Sequence, residues 1–242
     1  MLTNQPKEEI LKNLESNKLF SYTIPYDDGA APNPFWNICT LVICKPVIRR
    51  TAEVGDWIVG LGSKNSPMGD LSEKIIYIML VTKKISMREY NNYCKQYLPN
   101  KIPDIQNQDQ RRHVGDCIYD FSVSNEGKLR PGVHTEENRP TDLRGKNALL
   151  SSHFYYFGDN PIDLQPQFHS MIKSNQGHKS TANDPVKYNF IKWLFEQNLQ
   201  QNYLYGNPQM IIDLTINPEC ISECSKKHRI ESELDESTTD ND

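Results

Sequence analysis

The feature that most constrains the fold is a long apolar run in the first half of the chain, KIIYIMLVTKKIS (74–86). Its content of Ile, Val and Thr is typical of a β-strand. A second strand-type segment, WIVGLGS (57–63), precedes it after only a turn-rich loop. Because no helix separates the two, the chain lacks the regular βαβ alternation of a doubly wound sheet.

The remaining elements fit a strand-rich first half followed by an irregular middle, a late strand and a late helix. Further strands are predicted at 19–27, 38–44 and 148–158. One helix is predicted at 5–16. A second helix is predicted to begin after a capping box formed by Ser86 and Glu89, and a third after a cap at Asn183 or Asp184. We therefore expect an α+β fold, with a mixed, mostly antiparallel β-barrel and peripheral helices.

The charge distribution separates the end of the chain from its body. Residues 231–242 hold six acids and no bases, so this tail is predicted to be disordered. Residues 1–230 carry all 27 basic residues and 25 of the 31 acidic ones, a net charge of +2. A strongly electrostatic nucleic-acid binder would be more basic, although a local patch stays compatible with this balance.

Targeting and metal-binding signals are weak. No apolar run approaches the roughly 18–20 residues of a membrane span, and the N-terminus lacks the apolar segment of a signal peptide. A cytoplasmic protein with reduced cysteines is therefore expected. Cys220, Cys224 and His228 would share one helical face, but their spacing is unusual for zinc and a fourth ligand is missing, so no metal site is predicted.

A basic stretch, CKPVIRRTAEVGDWIVGLGSKN (44–65), is the first candidate site. It holds four bases that could surround one anion: Lys45, Arg49, Arg50 and Lys64. The alternative is that the arginine pair is an exposed, solvated turn. The GLGSKN segment lacks the spacing of a phosphate-binding P-loop.

Two histidine segments are the candidates for chemistry. In a strand, His153 and Tyr155 share a face that could stack a flat base, or they belong to an ordinary core strand. Next to a predicted helix start, His178 is a candidate acid or base and Lys179 a candidate anion contact, unless this is a flexible polar loop. Cys39 is a candidate nucleophile, although spacing does not place either histidine beside it.

Several long segments resemble a bacterial and phage family named nucleotide modification associated domain 2. They are SYTIPYDDGAAPNPFWNICTLVICKPVIRRTAEVGDWIVGLGSKN, HVGDCIYDF, LLSSHFYYFGDNP and GHKSTANDPVKYNFIKWL. The family's name records an association with systems that modify DNA bases or nucleotides, and it specifies no reaction. More weakly, the strands around 57–63 and 74–86 are similar to PUA-like domains of the EVE and ASCH types, which are small mixed barrels that hold a base in a cleft.

The resemblance implies one domain over 18–215, after a helical extension at 1–17 and before the acidic tail at 231–242. It also implies a cleft that holds a nucleotide or modified base. The residues expected to bind it are Asp28, Asn33, Phe35, Trp57 and Tyr155, together with the bases Lys45, Arg49, Arg50 and Lys64.

Three functions stay open at this point. The leading one is a module that binds a nucleotide or modified base, with DNA as one candidate ligand. The second is an enzyme of nucleotide or DNA-base modification by group transfer or hydrolysis, with four working residues: Cys39, His153, His178 and Lys179. The third is a non-catalytic interaction protein of a phage-related system. The sequence specifies neither a cofactor nor an oligomeric state.

Overall fold

The computed structural model describes residues 6–173 and 177–210 of the 242-residue chain. The strands are β1 (Leu19–Ile24), β2 (Cys39–Leu41), β3 (Trp57–Gly62), β4 (Lys74–Leu80), β5 (Lys83–Ser86), β6 (Tyr119–Asp120), β7 (Lys128–Leu129), β8 (Asn147–Ser151), β9 (His153–Tyr156), β10 (Ile162–Asp163), β11 (His178–Lys179) and β12 (Tyr203–Leu204). The helices are α1 (Lys7–Asn13), α2 (Pro46–Thr51), α3 (Met87–Tyr97), α4 (Arg139–Arg144) and α5 (Asp184–Glu196), and short 3-10 turns connect several of them.

The strands form two main sheets and a small hairpin. The larger sheet has the order β11-β1-β3-β4-β9-β12, with β10 also paired to β4, and the smaller sheet has the order β2-β8-β5. Only β1 with β3 and β9 with β12 run parallel among the described pairs. The predicted α+β class with mostly antiparallel strands is confirmed. The strands in the described ranges form no closed barrel, so that part of the prediction is not confirmed.

One long hairpin runs through both sheets. The predicted strand at 74–86 is divided into β4 and β5, and the predicted strand at 148–158 contains β8 and β9. Both arms break at the same level, where the Ser152 N–H donates to the Thr82 hydroxyl at 3.0 Å instead of to a ladder carbonyl. The Thr82 N–H still donates to the Leu150 carbonyl at 2.9 Å. The hairpin therefore passes from the larger sheet into the smaller one without separating.

A long insertion closes on the far end of this hairpin. Ser86 pairs with Asn147 at the end of β5 and β8, and the Met87 N–H donates to the Lys146 carbonyl at 3.0 Å. Residues 87–146 thus leave and re-enter the sheet at one point, carrying α3, the β6–β7 hairpin and α4. The predicted capping box of Ser86 and Glu89 is confirmed at the start of α3.

The larger sheet has a core on each face. One core packs β3, β4 and β9 against α1 and α5, with Phe190 and Leu194 of α5 fully covered. The other packs the opposite face of that sheet against the smaller sheet, α2 and α3. Both cores are apolar and close-packed, and burying them stabilises the fold by roughly 25 cal/mol for each Å² of apolar surface.

The glycines of β3 accommodate the protein's own side chains. A Cβ at Gly60 would lie 2.3 Å from the Tyr77 ring and 2.4 Å from Ile24, and a Cβ at Gly62 would lie 2.3 Å from the Leu71 carbonyl oxygen. The close backbone approach that these glycines allow is therefore an internal packing contact.

Substitution of Gly60 by alanine should lower the free energy of unfolding by about 1–3 kcal/mol, because the added methyl group overpacks the core against Tyr77. Urea denaturation of the variant and of wild type measures this loss. Gly132→Ala is the matched control, since its added Cβ would meet no atom nearer than 3.3 Å. Equal losses in the two variants would contradict the overpacking explanation.

Candidate functional site

The turn between β2 and α2 has an unusual backbone conformation. Cys44 and Lys45 both lie in the left-handed region, with φ of 56° and 40°, before Pro46 begins α2. Non-glycine residues rarely adopt positive φ, and when they do they cluster at functional sites. This turn brings the Cys44 side chain against the segment that carries His134.

Cys44, His134 and Asp142 form a continuous chain of contacts. The Cys44 Sγ lies 3.6 Å from His134 Nε2, and His134 Nδ1 lies 2.6 Å from Asp142 Oδ2. Two further donors fix the carboxylate, since the Cys44 N–H donates to Oδ1 at 3.0 Å and the Tyr119 hydroxyl donates to Oδ2 at 2.9 Å. A thiol, an imidazole and an orienting acid in this order are the arrangement of an activated nucleophile.

The charges of this triad support an ion pair. Burial lowers the pKa of His134, but the Asp142 carboxylate and Cys44 raise it, and the resulting value is about 9. For Asp142, burial raises the pKa, but His134, the Arg49 guanidinium and the Cys44 N–H together outweigh burial and hold the pKa below its ordinary value. Near pH 7 the triad therefore contains an imidazolium and a carboxylate. A cation beside a cysteine favours the reactive thiolate.

Arg49 holds the backbone of the triad in place. Its side chain is fully buried and donates to the carbonyl oxygens of Cys44 at 2.7 Å, Asp142 at 2.5 Å and Asn147 at 3.1 Å. A Cβ at Gly145 would lie 2.3 Å from this guanidinium, so a larger residue there would displace the guanidinium from its present position. The predicted basic stretch thus places one arginine inside the protein, against protein acceptors.

The other predicted anion ligands lie at or near the surface. Arg50 and Lys64 are exposed, and Lys45 is half-buried with its ammonium 4.9 Å from the centre of the Tyr22 ring. Of these bases, Lys45 is the one that directly follows Cys44 in the sequence.

The predicted catalytic histidines lie on opposite faces of the larger sheet. His153 packs in the core beneath α5, with its ring 5.3 Å from that of Trp57, and burial lowers its pKa to about 4. His178 lies on the other face, with its ring 5.6 Å from that of Phe20. The Cys39 thiol is buried, and burial raises its pKa to about 12.

The remaining predicted residues belong to buried structure or to local contacts. The predicted ring-binding residues are all buried, namely Phe35, Trp57 and Tyr155. In the loop before β2, Asp28 is buried and the Asn33 side-chain oxygen accepts from the buried Lys101 ammonium at 2.7 Å. The Lys179 ammonium donates to the Ser170 carbonyl at 2.9 Å.

Sequence reasoning missed His134 and Asp142, and it assigned no role to Cys44 within the basic stretch. These residues are far apart in the chain, and the segment around His134 has no helical or strand periodicity to place them. The one local signal is CKP, where a cysteine directly precedes the lysine and proline that open a helix.

Metal ligands do not cluster in the described ranges 6–173 and 177–210, where no group of three or more His, Cys, Asp or Glu side chains could hold an ion. Cys220, Cys224 and His228 lie outside these residues. No helix within the described ranges has the length and apolar character needed to cross a bilayer.

Comparison with known protein families shows which family the chain belongs to. Its residues 16–215 match the profile of nucleotide modification associated domain 2. The chain belongs to this family. Cys44, His134 and Asp142 all lie inside the matched region, so the triad is part of the family domain. No curated protein and no solved structure shows a significant match to the chain.

Replacing Arg49 by methionine should lower the free energy of unfolding by about 3 kcal/mol or more, because buried carbonyl groups lose a charged donor and Asp142 loses a nearby cation. Thermal or urea denaturation measures this. Arg50→Met is the matched control at the neighbouring exposed position, and it should change stability by less than about 0.5 kcal/mol. Similar effects of the two variants would show that Arg49 does not stabilise the site.

Proposed function

We propose that this protein is a cysteine-dependent enzyme of nucleotide or DNA-base modification. Cys44 is the nucleophile, His134 is the general acid and base, and Asp142 orients the imidazole. The observation that carries the proposal is the connected geometry, with 3.6 Å from Sγ to Nε2 and 2.6 Å from Nδ1 to the carboxylate. A binding module without chemistry would need no such pairing of a thiol with an imidazole.

The reaction that this geometry suits best is acyl transfer or hydrolysis. The Cys44 thiolate attacks the carbonyl carbon of an acyl group, the S–C bond forms, and the His134 imidazolium gives its proton to the departing amine or alkoxide. A hydroxyl, an amine or water then attacks the thioester while His134 accepts its proton. The C–S bond breaks, the thiolate is regenerated and the acyl group has moved to its acceptor.

Family membership supports the nucleotide as the reacting partner. The matched domain implies a role associated with nucleotide modification, so either the acyl acceptor or the acylated substrate is a nucleotide or a base in DNA. The proposal does not use the predicted PUA-like cleft beside the strands of the larger sheet, because the predicted ring-binding residues Phe35, Trp57 and Tyr155 are buried.

Selective alkylation of Cys44 tests the nucleophile. Iodoacetamide labelling followed by peptide mass spectrometry should modify Cys44 at least about tenfold faster than Cys39, whose buried thiol has its pKa raised to about 12. His134→Ala should slow the labelling of Cys44 by about tenfold. Labelling of Cys44 that is no faster than that of Cys39 in folded wild type would exclude the proposed nucleophile.

The protonation of His134 gives an independent check. In ¹⁵N-histidine NMR spectra, the His134 resonance should titrate with a midpoint near pH 9, and Asp142→Asn should lower that midpoint by at least about one unit because the attracting carboxylate is lost. The folded pKa lies above the unfolded value of about 6.5. The stabilisation that His134 gains from this pair is therefore complete below about pH 6.5 as long as Asp142 stays ionised, and it is lost as the pH rises through about 9. A midpoint near 6.5 in wild type would contradict the ion pair.

A further inference from the structure

An open groove of about 380 Å³ reaches the triad from the surface, and His134 forms part of its wall. The rest of the wall is largely apolar, with Ile105, Leu129, Pro131 and Gly132 contributing. Small-molecule sites have volumes of about 300–1,000 Å³ and are lined mostly by apolar groups with a few polar ones. The groove meets this description, and its polar groups are the imidazole of the proposed acid and base and the side chains of Arg130 and Glu136.

Both charged side chains of the groove are paired within the protein. The Arg130 guanidinium contacts the Asp120 carboxylate at 2.9 Å and donates to the Cys117 carbonyl at 2.8 Å. The Glu136 carboxylate accepts from Arg139 at 2.8 Å. Because each charge already has a partner, binding a phosphate here would require breaking an existing ion pair. The groove favours an uncharged group.

We propose that this groove binds the nucleobase of the substrate, with an acyl substituent of the base directed toward His134 and Cys44, and that the phosphate stays outside the groove. The inference rests on the proposed function, because it uses Cys44 as the nucleophile. The apolar walls cover the faces of the heterocycle, and the imidazole meets the polar edge where the acyl group is attached. The substrate class is therefore an N-acylated nucleobase, free or within a nucleotide.

This mode of binding has a measurable electrostatic signature. Calorimetric titration with N4-acetyl-2′-deoxycytidine and with its 5′-monophosphate should give affinities within about threefold of each other. Raising the salt concentration from 50 to 300 mM should change either affinity by less than about threefold, because no phosphate is neutralised in the groove.

Gly132 is one of the residues that line the groove, so a bulky side chain at this position tests the groove. Its φ is not in the positive region, and an added Cβ would lie 3.3 Å from Ile118 and 3.5 Å from Pro103, so Ile118 has to shift by a few tenths of an ångström to accommodate it. Gly132→Leu should weaken binding of the acetylated nucleoside at least tenfold. Alkylation of Cys44 by the much smaller iodoacetamide should change by less than about twofold. Val123→Leu, at an exposed apolar position outside the groove wall, is the matched control and should bind as wild type does.

The outcomes separate this inference from the proposed function. If Cys44 of wild type is not alkylated selectively, both the proposed function and the groove inference are overturned. Selective alkylation together with unchanged binding in Gly132→Leu would overturn the groove alone. The groove would also be excluded if the monophosphate bound more than tenfold tighter than the nucleoside, or if wild type bound neither acetylated probe while Cys44 stayed selectively reactive.

Discussion

The structure around the site depends on one buried cation. A guanidinium removed from water is costly unless its donors find acceptors, and Arg49 finds them on three separate segments of the chain. These are the turn between β2 and α2, helix α4 and the start of β8. Since one carbonyl of each segment accepts a hydrogen bond from the same planar group, their relative positions are fixed to within the tolerance of a hydrogen bond. The Cys44 thiol and the Asp142 carboxylate take their spacing from this arrangement.

A second buried cation fixes the loop before β2 in a similar way. The Lys101 ammonium donates to the Asn33 and Ile38 carbonyls and to the Thr40 hydroxyl, and Thr40 in turn donates to Asp116 at 2.5 Å. Burial lowers the pKa of Lys101 while the nearby Asp116 opposes this change. The loop and β2 are thus attached to the insertion on both sides, once through Lys101 and once through Arg49. The thiol therefore sits on backbone that is held from two directions.

The sequence predicted those parts of the molecule that are governed by local periodicity. The apolar run at 74–86, the strand around His153 and helix α5 follow from side-chain patterns that act over a few residues, although the predicted side-chain cap of α5 is wrong because Asn183 makes no capping hydrogen bond. The break of the long hairpin did not follow, because a single Thr82 hydroxyl replaces a ladder carbonyl there. The triad joins Cys44 to a partner ninety residues away through an irregular segment, and no spacing rule connects such residues. The catalytic role was predicted instead for histidines next to regular elements, and the structure places one of them, His153, within the core beneath α5.

The residues of the site come partly from the insertion at 87–146 and partly from the rest of the chain. Its two ends are joined by paired backbone at Ser86 and Asn147, so this cassette leaves and re-enters the hairpin at one point, while Lys101 and Asp142 attach it to the loop before β2 and to the turn after β2. Cys44 lies outside the insertion, between β2 and α2, whereas His134, Asp142 and the residues that line the groove lie within the cassette. The thiol and the imidazole that it faces are thus encoded in two separate stretches of sequence that meet only in the folded chain.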